Sequence, residues 1–263
     1  MKIVVAVKQV PERDAAVRVA ADGRSVDTGD AWTMNEPDAY ALEEALQLKE
    51  RDGGEVIVLS AGPERVESTL REALAKGADR ALHIVTPESG AGSLPERDTL
   101  GVAQLLADAV RSESPDLVFT GLQSDDLGAG QTGVVLAELL GLPHATLVLS
   151  VESAADSGGK RIRVKRELED GWFQHIEMPL PALLTIQSGG NRLRYATLMG
   201  IKRARAKETR AIEAAPPAER HDKTAEIVRI SLPERTRQIE MLTGPADQIA
   251  AKLAERLRTE VGL

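Results

Sequence analysis

The sequence predicts an α/β protein: a doubly wound parallel sheet, an antiparallel hairpin added to it, and an extended C-terminal arm. Two observations carry this expectation. Short aliphatic runs alternate with amphipathic helical patterns through roughly the first 150 residues, as strand–helix–strand crossovers require. The aliphatic runs also lack strict polar alternation, which fits strands covered on both faces. Right-handed crossovers then place helices on both sides of the sheet.

The elements follow in order. Ile3–Val10, Val56–Ala61, Leu82–Val85, Leu117–Thr120 and Thr146–Val151 are the five strand candidates. Pro37–Arg51 is a helix candidate with Leu42, Ala45 and Leu46 on one face. Pro63–Lys76 follows with Val66, Leu70, Ala73 and Leu74 at helical spacing, and Gly77 is a natural stop. Arg97–Arg111 repeats the pattern with Ala103, Leu106 and Val110, and Gly130–Leu140 ends at Gly141. After Ser150 the pattern changes. Arg161–Glu167 and Trp172–Met178 flank Asp170-Gly171, a hairpin turn signal. Pro181–Gln187 is a further strand. Glu208–Glu226, with Pro216-Pro217 inside it, is an extended linker by composition. Pro245–Thr259 closes the chain as a helix with Ile249, Leu253 and Leu257 on one face. The expected partition is 1–190 for the α/β domain, 191–207 for a basic segment, and 208–263 for linker and arm.

Bulk composition narrows the classes. Of the 263 residues, 42% are hydrophobic, but six are aromatic, so the core must be aliphatic. The chain has no cysteine, which excludes disulfides and thiolate chemistry and fits a reducing compartment. The apolar run at the start is too short for a signal-peptide core, and no run approaches a membrane span. The expectation is a cytoplasmic protein that does not insert into membranes. A net charge of -8 argues against nucleic-acid binding.

Against that acidity, Arg192–Arg210 holds seven Lys or Arg and one acid. Such a strip suits a negatively charged partner. Leu198 sits in its middle as an apolar anchor. An ordinary solvated mixed-charge segment is the plainer alternative.

Chemistry in a doubly wound sheet sits at the carboxyl ends of strands. The first strand ends in Lys8-Gln9-Val10-Pro11, without glycine. The second ends in Ser60-Ala61-Gly62-Pro63, where a flat ring could approach the backbone. The fourth runs into Gly121–Gly133, whose end, Gly128-Ala129-Gly130-Gln131-Thr132-Gly133, spells G-x-G-x-x-G. Its position after the fourth strand argues against a Rossmann NAD site, but a helix start rich in glycine attracts phosphate. Asp125-Asp126 precede it, as charge favourable to the helix start or as acceptors for ribose hydroxyls. No acid–base constellation stands out. His83, His144, His175 and His221 are scattered without metal-ligand spacing, each most simply at a surface or strand end. Glu43-Glu44 and Glu167-Glu169 are best explained as solvated faces. A nucleotide pocket without catalytic groups, beside a basic loop and an arm, suggests a carrier or docking subunit.

These residues resemble a known family, the beta subunit of electron-transfer flavoprotein. The resemblance rests on V-A-V-K at 5–8, the segment Asn35–Lys49, S-A-G-P at 60–63, A-K-G-A-D-R at 75–80, Gly121–Gly133, V-K-R-E at 164–167 and R-Y-A-T-L at 194–198. It implies an electron-carrier subunit, not a stand-alone enzyme, paired with an alpha subunit that holds the redox-active FAD. It implies AMP as a structural ligand of this chain, against Ala6, Asn35, Glu36, Pro37, Asp38, Ala61, Gly121, Leu122, Gln123, Ser124, Asp125, Asp126, Leu127, Gly128, Ala129, Gly130, Gln131 and Thr132. It implies docking of flavin dehydrogenases through Arg194, Tyr195, Leu198 and Arg203, with a downstream electron acceptor. Glu167 would pair with an Arg of the alpha subunit near the flavin, and the C-terminal arm would wrap that subunit. Relatives that bifurcate electrons hold a second FAD in place of AMP. Gln131-Thr132-Gly133 resembles the AMP type. A free-standing nucleotide-binding regulator with the same sheet is the other alternative. Many relatives have Asn-Pro at Asn35-Glu36-Pro37, a departure that bears on how this segment fits the nucleotide. Many have Asn-Glu-Pro at Asn191-Arg192-Leu193, and several have Pro at Met199, so the docking loop is expected to be more basic and its partner choice different.

Overall fold

The computed structural model describes residues 1–86, 98–154, 161–214, 225, 227–233 and 239–261. It divides into two compact units, Met1–Ile230 and Ser231–Leu263. The first unit contains thirteen strands among its described residues: β1 (Lys2–Ala6), β2 (Gln9–Pro11), β3 (Arg18–Val19), β4 (Val26–Asp27), β5 (Trp32–Met34), β6 (Glu55–Gly62), β7 (Arg80–Val85), β8 (Leu117–Gly121), β9 (His144–Ser153), β10 (Arg161–Glu167), β11 (Phe173–Pro179), β12 (Ala182–Ile186) and β13 (Thr209–Glu213). Its helices are α1 (Glu36–Asp52), α2 (Glu67–Lys76, entered through a 3-10 turn at Glu64–Val66), α3 (Thr99–Glu113), α4 (Thr132–Leu140) and α5 (Leu198–Ala204).

The main sheet has nine strands in the order β11-β10-β9-β12-β8-β1-β6-β7-β13. From β9 to β13 every neighbouring pair is parallel, and β10 is antiparallel to both β9 and β11. Covered faces explain why the central strands are continuously aliphatic. Ile3 and Val5 point into one cluster with Leu42 and Leu46 of α1 and Leu70 and Ala73 of α2. Val4, Ile57 and Leu59 point the other way, against Leu106 and Val110 of α3 and Leu136 of α4. Each fully buried aliphatic side chain contributes roughly 1.5–3 kcal/mol. The two clusters flank the sheet, as double winding requires, so the expected fold class holds.

The hairpin also forms as its turn dipeptide predicts. Asp170 and Gly171 both adopt positive φ, 56° and 76°, the geometry that matches strand twist in a tight hairpin. Leu168 N–H donates to Trp172 O at 2.8 Å and closes it.

Three features differ from expectation. The supposed linker after Glu208 opens with β13, which pairs with β7 from Thr209↔Ala81 to Glu213↔Val85 and forms the sheet's edge. Pro216-Pro217 lie outside the described residues. Between β1 and α1 the chain makes two small antiparallel pairs, β2 with β5 and β3 with β4. His83 is no strand-end residue. It is buried mid-strand on β7 with Nε2 2.9 Å from Gly62 O. His221 lies outside the described residues.

The second unit carries one α-helix among its described residues, α6 (Ala246–Arg256). Arg256 pairs there with Glu240 at 2.9 Å and also with Glu260. Ile249, Leu253 and Leu257 recur at helical spacing, and Leu253 is 49% exposed, so within this unit the apolar stripe has no full cover.

Candidate functional site

The chain leaves β1 toward β6 and β7, then returns to β8 on the opposite side of β1. That reversal is the topological switch point, and the crevice beyond the carboxyl ends of β6, β1 and β8 is where an open α/β sheet takes ligands. Small residues stand at all three ends: Ala61, Ala6 and Gly121.

Asp38 forms the floor. It is buried at the first turn of α1. Lys8 N–H donates to its Oδ2 at 2.7 Å, and Gly121 N–H donates to its Oδ1 at 2.8 Å. One carboxylate thus ties β1 to β8 across the switch point. Gly121 must be glycine here, because a Cβ would lie 2.5 Å from Asp38 Oδ1 and 2.8 Å from its backbone nitrogen. Burial raises the Asp38 carboxyl to about 6 in spite of both N–H donors.

Polar groups rim the crevice. Asn35, also buried, donates from Nδ2 to Gln123 O at 2.9 Å and accepts from Asp125 N–H at 2.9 Å. Glu36 N–H donates to Asp125 Oδ2 at 3.3 Å, and Arg13 pairs with Glu36. Lys8 Nζ meets Asp126 at 2.7 Å and donates to Ser124 Oγ at 3.3 Å. Lys8 holds the Asp126 carboxyl below its ordinary value against the opposing effect of burial. The structure therefore joins Asn35–Asp38 to the loop 121–126. It adds Arg13, and Lys8, which the sequence offers only within the V-A-V-K string. A cation at the end of the first strand was the available signal. Asp125 and Asp126 are satisfied within this rim, and the first turn of α4 carries no acid.

Leu127–Gly130 is exposed or half-buried loop, with Gly128 and Gly130 both at φ +63°. Only such left-handed positions let the backbone turn into α4 this tightly. The N-cap of α4, Gln131, makes no side-chain cap, as at the starts of α1 and α2, whereas Asp98 caps α3 and Thr197 caps α5. The start of α4 at Thr132 thus presents orphan N–H groups and the positive end of a helix dipole. Among the described residues, no group of His, Asp or Glu could hold a metal ion.

The basic strip lies elsewhere. Thr197 Oγ1 accepts from Gly200 N–H at 3.0 Å and starts the short helix α5, which packs its buried Ala204 into the core shared with α2. Along α5 and the turn before it, Tyr195 is 93% exposed, Leu198 88%, Met199 57% and Ile201 45%. The seven cations divide into two sets. Arg194 pairs with Glu43 and Glu50, Lys207 Nζ donates to Leu74 O and Ala78 O, and Arg210 pairs with Glu113 at 3.0 Å. Arg192, Lys202, Arg203 and Arg205 are exposed and make no ion pair among the described residues. Glu43 and Glu44 are not the solvated face expected of them. Both are buried, since Glu43 receives Arg194 and Glu44 receives Val151 N–H at 2.7 Å and Asn191 Nδ2 at 3.1 Å. Glu167, at the end of β10, accepts from Gln187 Nε2 at 3.2 Å through one carboxylate oxygen.

Fold and site together define a class: a doubly wound α/β protein with small residues and buried polar groups at its switch point, an uncapped helix start after them, and exposed apolar side chains in a segment rich in cations. Comparison with known proteins gives the family. The electron transfer flavoprotein domain matches residues 23–217. The electron transfer flavoprotein subunit beta of Methylophilus methylotrophus is 37% identical over 97% of both chains. The subunits of that name from Homo sapiens and Mus musculus are 36% and 35% identical, again over 97% of each chain. The chain belongs to the electron transfer flavoprotein beta-subunit family. No helix among its described residues is long and apolar enough to cross a membrane.

Proposed function

We propose that this chain works as the beta subunit of a heterodimeric electron-transfer flavoprotein: it grips AMP as a structural ligand, supports the FAD of an alpha subunit, and docks flavin dehydrogenases. The observation that carries the AMP reading is the uncapped start of α4 next to strand ends of small residues. Its chemistry fits an adenylate. Ala6 and Ala61 leave room for a flat base, and the N–H groups after Gly130 suit a phosphate. Asn35–Asp38 and Gly121–Thr132 would line the ligand. Lys8 and Arg13 already neutralise the rim carboxylates, so a phosphate would meet little repulsion there. Lys8 and Asp126 are engaged with each other there, so the crevice is read as holding a ligand and not transforming one. FAD would supply the redox chemistry. Glu167 keeps one carboxylate oxygen for an Arg of the alpha subunit.

Co-purification with an alpha subunit, followed by chromatography of the released nucleotides, tests this. One FAD and one AMP per heterodimer is the expected result. Two FAD and no AMP would make the protein a bifurcating type. An empty crevice in a soluble homodimer would favour a free-standing regulator.

Docking would use Tyr195 and Leu198 as anchors and Arg203 with its neighbouring cations for steering. Four outward cations, not seven, are available for this. The association rate with an acidic dehydrogenase is expected to fall several-fold between roughly 0.05 M and 0.3 M salt, as screening shortens the reach of exposed charge. A stopped-flow on-rate indifferent to salt would remove the steering role.

A further inference from the structure

We propose that Arg194 is a positioning residue: it acts on the partner through Leu198 and Tyr195, by locking the root of their segment to α1, and makes no contact with the partner itself. The inference rests on the docking reading above. Its basis is how fully the guanidinium is used. Nε donates to Glu43 Oε2 at 2.8 Å and Nη2 to Glu43 Oε1 at 2.9 Å. Nη1 and Nη2 reach Glu50 at 2.5 and 3.1 Å. The backbone N–H of Arg194 also donates to Glu43, at 3.3 Å.

Glu43 and Glu50 stand two turns apart on one face of α1, and a planar fork can span both where a single ammonium cannot. Three residues earlier, Asn191 Nδ2 donates to Tyr40 O and to Glu44. The chain is thus held to α1 at Asn191 and at Arg194, and the next residue, Tyr195, turns outward. Two exposed apolar anchors in a short segment would otherwise lose much orientation entropy on binding, and fixing them beforehand removes part of that cost.

The same α1 carries Asp38 and Asn35 at its start, so one helix fixes both the crevice floor and the docking segment.

The test uses the intact heterodimer with Arg194→Lys, Leu198→Ala and the double variant. Electron transfer is measured from a purified flavin dehydrogenase, with its own substrate as reductant. Arg194→Lys keeps the charge but loses the fork. KM for the heterodimer is expected to rise about ten-fold with kcat unchanged, and amides between Asn191 and Leu198 to exchange about ten-fold faster while β1, β6 and β8 keep their protection. In the Leu198→Ala background, Arg194→Lys is expected to add about three-fold at most, well short of its ten-fold effect alone, because only Tyr195 remains of the two anchors it positions. Glu50→Gln, at the exposed end of the clamp, serves as the second variant if Arg194→Lys folds poorly. It is expected to give a smaller KM rise with the same non-additivity. Effects that multiply in the double variant would assign Arg194 a direct partner contact and overturn the proposal. An unchanged KM in Arg194→Lys would overturn it too. If Leu198→Ala alone leaves KM unchanged, the docking reading itself falls, which is a distinguishable result.

Discussion

Leu198→Ala is expected to lower kcat/KM for electron transfer from a partner dehydrogenase by about 30-fold, without loss of AMP, of the alpha subunit or of thermal stability. The size follows from what the side chain does in each state. Free, Leu198 is almost fully in water, so truncating it removes little internal contact. Exposed substitutions of that kind usually stay within about 0.5 kcal/mol. Bound in an apolar pocket, a leucine buries surface worth roughly 2 kcal/mol, and a central anchor reaches hot-spot size. Two kcal/mol is about 30-fold. The helix itself is not at risk, since Thr197 supplies the cap and alanine is a strong helix former. Rates unchanged by the substitution, with the melting temperature also unchanged, would show that the cluster at Tyr195, Leu198, Met199 and Ile201 meets some other surface.

The parts of this molecule legible in the sequence are those whose stability is local or repetitive. Ile3–Val5, Val56–Leu59 and Leu117–Phe119 are buried on both faces, and that condition writes itself as uninterrupted aliphatic runs. Asp170-Gly171 is legible because the left-handed turn it makes selects those residue types. β13 was hidden because an edge strand has one neighbour and little burial: Thr-Arg-Ala-Ile-Glu pairs with β7 through backbone groups that composition does not report. β3 and β4, two residues each, are below any period. α5 is seven residues long and rich in cations, and its one sequence signal was the capping threonine at position 197. Glu43 and Glu44 depart from the expected solvated face for a physical reason. A carboxylate on a helix is usually solvated, and only a partner brought from the far end of the chain makes burial tolerable. Arg194 and Asn191 are those partners, and their meeting with α1 is tertiary information. Asp38 enters the sequence reading only through the family resemblance; that it forms a floor joining two strand ends distant in sequence is tertiary information.

That floor yields the second large effect. Asp38→Asn is expected to change the pH dependence of stability in a defined direction. The carboxyl is raised from 3.8 to about 6 by burial. Between those values the folded chain binds more protons than the unfolded one, so the contribution of Asp38 to folding falls as pH rises through this window and is level above about 6. The difference corresponds to roughly 3 kcal/mol in favour of the folded state at the acid end. Asparagine carries no such titration. Plotted against pH, wild-type stability minus variant stability is therefore expected to grow by up to about 3 kcal/mol from pH 7 down to pH 4. Other carboxylates, such as Glu113 and Asp126, are held below their ordinary values and push the total the opposite way, which is why the difference is the quantity to measure. At pH 7 a second term appears. Asparagine has one oxygen for two buried N–H donors, and its amide group must face either Lys8 or Gly121. An unpaired buried donor costs about 1–3 kcal/mol, which opposes the relief of no longer burying a charge. Denaturant titrations at pH 4, 5, 6 and 7 on both proteins separate the two terms, the first as a slope and the second as an offset. A difference curve flat across that range would mean that Asp38 does not hold a proton at pH 5. In that case the two N–H donors, and not burial, would govern the carboxylate that joins β1 to β8.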